Sequence, residues 1–181
     1  MKKLLVTLIS LITGIIVGIF LIISSDKDYL IHLLIAIILS FIYSVIIHEF
    51  GHFVCGMISG YKFVSFRILN LLIFRDKDEK MKIKFVSHNP RSLGQCLLYY
   101  PKESDKIPYK FYNYGGVIFN LISTVIFTVL AFVINEEIPS HLLIMAAVLN
   151  LWIYSQNGID FDQNMINDKK NINSINKYPK I

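Results

Sequence analysis

The chain has 181 residues, 54% of them hydrophobic and only 17% charged, with a formal net charge of +5 and a mean hydropathy of +0.54. That composition excludes an ordinary soluble domain of this size and reads as one mainly α-helical integral membrane domain over 1–181. The basic surplus falls in segments that a membrane topology accounts for, so it is no argument for a nucleic-acid partner.

Leu4 to Ile23, LLVTLISLITGIIVGIFLII, is 20 residues without a charge, about the length that crosses a hydrocarbon core of roughly 30 Å. Lys2 and Lys3 would suit a signal peptide, but no A-x-A-like site follows between Ser24 and Asp28, so this segment is expected to be retained as the first span, about 4–23. The second span, about 30–59, opens with LIHLLIAIILSFIYSVII, in which His32 is the only titratable group apart from the Tyr43 phenol. Its second half holds IIHEFGHFVCG, Ile46 to Gly56.

Ionisable side chains at bilayer depth cost a few kcal/mol each, on the order of insertion scales, and mark functional sites by default. On a helix His48 and His52 stack four residues apart on one face, so both imidazoles reach a single cation, while Glu49 projects beside them as a base for water. This is H-E-x-x-H, and its residue types suit one Zn²⁺ per chain, because neutral imidazoles are zinc ligands and a non-ligating carboxylate takes a proton. A tetrahedral catalytic site needs a third protein ligand. His32, His88 and His141 are lone histidines, and Asp160 and Asp162 are the acidic candidates. Cys55 and Cys96 lack C-x-x-C spacing, so neither a disulfide framework nor a zinc knuckle follows, and Cys55 reads as a small helix-face residue.

The insert 61–112 is expected to be a small cytosolic β element between the second and third spans. Met81 to Ser87 alternates Lys82 and Lys84 with Ile83 and Phe85, and Gly94 to Tyr100 is a second strand candidate ahead of Pro101. The charges from Arg75 to Lys84 read as a solvated turn and strand face. A third span covers about 115–134. The fourth, about 141–156, has only 13 apolar residues, Leu142 to Tyr154, and enters a membrane if its irregular end is buried in protein or lines a cavity. The Asn- and Lys-rich tail, 167–181, is expected to fray. Tyr61 to Tyr112 carries 11 Lys or Arg and the tail four more, whereas the loops 24–29 and 135–141 hold only Lys27. The positive-inside rule therefore predicts a multi-pass protein of the cell membrane with both termini and the insert in the cytoplasm.

Three blocks together resemble the site-2 proteases, intramembrane zinc metalloproteases, particularly their short bacterial members. HEFGH, His48 to His52, matches the H-E-x-G-H form of the zinc motif; NYGGVIFN, Asn113 to Asn120, is similar to the block that opens the family's middle core helix, with Gly116 and Asn120; NLWIYSQNGIDFDQNMI, Asn150 to Ile166, is similar to the asparagine-to-aspartate block of its last core helix. GQCLLYYP, Gly94 to Pro101, resembles a strand of these short proteins. The third block departs from the family in having Ile153 where a proline is usual and Gln163 where a glycine follows the aspartate. Asn150, Gly158 and Asp162 align, with Asp160 two residues early.

The resemblance implies hydrolysis of a peptide bond in or near the membrane, by zinc held on His48, His52 and Asp162, with Asp160 the substitute, and with Glu49 as general base and later acid. It implies a membrane-embedded or membrane-associated peptide as substrate: a precursor peptide, a signal-peptide remnant or a regulatory protein. An extended peptide would add to the edge of the GQCLLYY strand. Asn120 and Asn150 either hydrogen-bond substrate or the tetrahedral oxyanion, or pack helices together. The alternative is a catalytically impaired member that binds membrane peptides or acts as an accessory protein, against which the intact Glu49 argues. A metal transporter would need a polar path through several spans, and the first and third carry no charge.

Overall fold

The computed structural model describes residues 2–23, 27–87, 93–101, 107–134, 136–158 and 168. Four helices and four strands follow in the order α1 (Lys2–Ile23), α2 (Lys27–Ile58), β1 (Lys62–Ile68), β2 (Leu71–Arg75), β3 (Met81–Phe85), β4 (Gly94–Tyr99), α3 (Tyr109–Val133) and α4 (Glu137–Gly158). Among the described residues two helices are long and apolar enough to cross a membrane, Leu30–Ile58 within α2 and Tyr109–Val133. Only 11% of the most apolar window of the first is buried inside the protein. A core helix of a soluble protein buries such a face; this one leaves Ile31, Leu34, Ile35, Ile38 and Leu39 exposed.

The helices associate through small and polar groups where backbones come close. A Cβ on Gly51 or on Gly115 would lie 2.3 Å from the other's carbonyl oxygen, so α2 and α3 cross with their backbones in contact, as small residues permit. Tyr43 and Ser123 share a hydrogen bond of 3.2 Å further along the same pair. Leu33, Met145 and Leu149 form a buried cluster between α2 and α4, with Val17 of α1 packed against it. Trp152 Nε1 and Gln156 Nε2 both donate to Ser10 Oγ, at 3.1 and 3.3 Å, which ties α1 to α4.

The chain leaves α2 through Gly60, whose φ of +87° is the left-handed conformation glycine tolerates best, and β1 turns back alongside the helix it has just left. Phe63 meets Phe53 with ring centroids 5.8 Å apart. The sheet is antiparallel in the order β3-β2-β1-β4. Its register pairs Phe66 with Ile73 and Cys96, and Ile73 with Ile83, so these side chains share one face. On the β4–β1 side that face is covered: Cys96 and Leu98 are buried with Tyr61 against Phe53 and Tyr112. The expected strands over Met81–Ser87 and Gly94–Tyr100 appear as β3 and β4; β1 and β2 had no counterpart in the sequence reading, because KFVSFRI and LLIFR alternate weakly. The charges expected to form a turn do so, with Asp76 accepting from Lys82 and from the Lys77 amide.

Candidate metal centre

His48, Glu49 and His52 lie on α2 and are all buried. Their neighbours explain how α2 tolerates them. α3 passes so close that a Cβ on Gly116 would stand 2.6–2.7 Å from three atoms of the His48 ring. The start of β4 packs on Glu49, with Gly94 admitting the carboxylate where a Cβ would come within 2.7 Å of its Oε1. The main chain of Cys96 hydrogen-bonds Glu49, while its carbonyl accepts from the Tyr112 hydroxyl at 2.8 Å. β4 is an edge strand, and these bonds set its Cys96 main chain against Glu49 and Tyr112.

His52 Nδ1 lies 2.9 Å from the Tyr112 carbonyl oxygen. A carbonyl can only accept, so Nδ1 carries a proton, and Nε2 faces the cluster. His52 Nε2 lies 3.3 Å from His48 Nε2 and 3.3 Å from Asp168 Oδ1, and His48 Nε2 lies 3.2 Å from Asp168 Oδ2. Three ligand atoms therefore converge, one from each residue, all within 4.8 Å of one another. Burial alone would push the Asp168 carboxyl up, but its hydrogen bonds with the two imidazoles outweigh that and hold it at about 2. It is an anion, the form in which a carboxylate serves as a metal ligand.

A cation fits by distance. Ligand bonds of about 2.0–2.1 Å in a tetrahedral site separate neighbouring ligand atoms by about 3.3–3.4 Å. The two imidazole nitrogens are 3.3 Å apart, which matches one such edge, and each has a different Asp168 oxygen at 3.2 or 3.3 Å. His52 has its outer nitrogen held by a backbone carbonyl, the arrangement that fixes the tautomer of a metal ligand. The cluster could hold a metal ion.

The H-E-x-x-H histidines thus come together as their spacing predicts. Asp162 and its substitute Asp160 lie outside the described residues, as does His88; the carboxylate described at the pair is that of Asp168, expected from sequence to belong to a frayed tail and found buried. His32 and His141 are not in this cluster. No sequence signal singled out Asp168, ten residues past the end of α4, or Tyr112, whose carbonyl and hydroxyl brace His52 and β4. Asn120 and Asn150 are fully buried. Asn150 Nδ2 donates to Ala146 within its own helix at 2.9 Å, but its Oδ1 and both polar atoms of Asn120 have no hydrogen-bond partner among the described residues. Cys96 is chemically quiet: burial, with a smaller contribution from Glu49, pushes its thiol up to about 12, so it stays protonated. Comparison with protein-family models, with curated proteins and with solved structures finds no match to this chain.

The close packing on His48 makes Gly116 a sensitive position. Gly116→Val should move the ring and weaken metal binding by about ten- to a hundredfold, the range for disturbing a group that orients a ligand, while Gly18→Val, where a Cβ meets nothing within 4 Å, should leave metal content unchanged. Titration of the purified proteins with a competing chelator checks both.

Proposed function

We propose that this protein is a zinc-dependent endopeptidase of the cell membrane that cleaves a membrane-embedded or membrane-associated peptide, in the manner of the site-2 proteases that its sequence blocks resemble. The observation that carries this reading is the convergence of His48 Nε2, His52 Nε2 and the Asp168 carboxylate, whose two oxygens lie 3.2 and 3.3 Å from the two rings, beside the buried carboxylate of Glu49. A set of two imidazoles and one carboxylate also serves octahedral iron. Zinc is preferred because the non-ligating Glu49 beside the cluster is the base that hydrolytic H-E-x-x-H zinc sites use.

Zinc bound there supplies Lewis acidity toward a peptide carbonyl and toward water. Glu49, held by the Cys96 main chain, is placed to take a proton from water and return it to the leaving amine. β4 is an edge strand beside the same carboxylate, and an extended substrate strand would dock along its outer groups other than those of Cys96, which Glu49 and Tyr112 occupy. Among the described residues Asn120 and Asn150 keep polar atoms without a partner, each at a cost of about 1–3 kcal/mol, which favours a hydrogen-bonding role toward substrate over packing alone. The basic-residue asymmetry supports four spans, with both termini and the insert on the cytoplasmic side.

Metal analysis of the detergent-purified chain, together with cleavage of a model membrane peptide, tests the proposal. One zinc per chain, chelator-sensitive cleavage and restoration by zinc are expected. His48→Ala should lose metal and cleavage together. A wild-type protein that takes up no divalent metal at micromolar concentration would end the reading.

A further inference from the structure

Glu49 and the two histidines share α2, yet the helix by itself does not aim them at one point. Successive residues turn by about 100°, which puts Glu49 about 100° round the axis from His48 and about 60° from His52. The carboxylate is steered from outside the helix, by β4. It accepts from the main-chain N–H of Cys96 and lies in the space left by Gly94, where a Cβ would come within 2.7 Å of its Oε1. The aim of this carboxylate is therefore only as good as the placement of one segment of an edge strand.

The strand ladder does not supply that placement. β4 is held on one side only, by β1, and their register shifts between Phe63 and Ser65, so that Val64 is an extra residue opposite the step from Leu97 to Leu98. Such a bulge interrupts pairing and bends the strand that carries it, here one residue past Cys96. Tyr112 makes up the deficit. Its hydroxyl donates to the Cys96 carbonyl at 2.8 Å. Its ring is fixed by stacking on Tyr61, with centroids 5.0 Å apart, and by α2, where a Cβ on Gly56 would lie 3.0 Å from Cδ2. The carbonyl of the same residue accepts from His52 Nδ1 at 2.9 Å. A chain of hydrogen bonds thus runs from His52 through Tyr112 and the Cys96 main chain to Glu49.

We infer that Tyr112 is a positioning residue that sets Glu49 relative to the ligand His52, its hydroxyl holding the strand on which the carboxylate rests and its carbonyl holding the imidazole. This rests on Glu49 being the base of the proposed reaction. The N–H that Glu49 uses and the C=O that Tyr112 uses lie on consecutive peptide units, so the two side chains grip Cys96 from both sides, and losing either frees the segment to pivot. The hydroxyl touches neither metal nor substrate in this role; it acts through Glu49. A base displaced from hydrogen-bond reach of its water loses rate, so the hydroxyl governs the chemical step and not the docking of peptide.

Tyr112→Phe removes the hydroxyl but keeps the ring and the carbonyl on His52, so zinc content should equal that of the wild type. Single-turnover cleavage of a membrane peptide in detergent should slow by about two- to tenfold, the worth of one hydrogen bond, at an unchanged half-saturating peptide concentration. Added to Glu49→Gln, the same substitution should cost nothing further, because the group it acts through is already lost. An unchanged rate, loss of zinc, a raised half-saturating concentration in place of a slower rate, or the full loss repeated in Glu49→Gln would each overturn the inference. A second measurement needs no cleavage. The chain has two cysteines, so cysteine labelled with 15N gives two amide signals, from Cys96 and Cys55. The Cys96 amide proton, bonded to a carboxylate, should move in Tyr112→Phe toward its position in Glu49→Ala, while Cys55 keeps its place. A Cys96 signal that Tyr112→Phe leaves unmoved overturns the inference whatever the rates, and movement of Cys55 as well would assign the hydroxyl to folding and overturn it too. A wild-type protein that cleaves nothing ends the protease reading, and the Cys96 amide then decides the link from Tyr112 to Glu49 by itself.

Discussion

Asp168→Ala should strip the metal from the protein and abolish cleavage with it. Removing an outer-shell partner of a metal ligand already costs about 10–100-fold in affinity, and removing the ligand itself should exceed the upper figure. The structure makes Asp168 the group that closes the triangle, 3.2 Å from His48 Nε2 and 3.3 Å from His52 Nε2. Asp168→Asn is the sharper variant, since it preserves volume while removing the charge that balances the cation. Asp162→Ala and Asp160→Ala provide the contrast and should retain most of the metal. Zinc per chain, measured by mass spectrometry after exhaustive dialysis, separates the cases. Loss of zinc in Asp162→Ala with retention in Asp168→Ala would return the ligand to the position that the family resemblance assigns.

Glu49→Gln should have the opposite signature, with metal kept and turnover lost. Glutamine matches glutamate in size and still accepts a hydrogen bond from the Cys96 main chain, but it cannot take up a proton. Loss of a general base costs about a hundredfold or more in rate. The three ligand atoms of the metal centre are untouched by this change, so zinc content should equal that of the wild type. Single-turnover cleavage of a membrane peptide in detergent gives the rate, and a physiological readout such as peptide maturation should fail in parallel. If Glu49→Gln supports maturation at the wild-type level while the purified wild type cleaves nothing, the site is a binding surface and the protease proposal falls.

Several features were legible in the sequence because they depend on local periodicity. The two long apolar helices follow from uninterrupted hydrophobic runs, and the pairing of His48 with His52 follows from a four-residue spacing that any α-helix turns to one face. Met81–Phe85 announces itself by strict alternation of lysine with apolar residues, and Asp76–Lys80 by its charge. These elements need no knowledge of what they pack against.

What tertiary structure alone decided is who meets the histidines and where the sheet packs. A carboxylate brought in from ten residues beyond the last helix carries no periodic mark, and Asp168 is an ordinary tail residue until the chain path delivers it to two imidazoles. Tyr112 likewise contributes a backbone carbonyl, which every residue has, and only its placement on His52 gives it a role. Gly94 and Gly116 read as a strand and a helix glycine, yet each is the space in which Glu49 or His48 sits. The sheet's position turns on β1 folding back along α2 through Gly60, a long-range arrangement in which weakly alternating strands gain their register from the helix face they cover. Local patterns determine which side chains are available on one element; the meeting of elements distant in sequence is set by packing, where backbone proximity and burial outweigh any local preference.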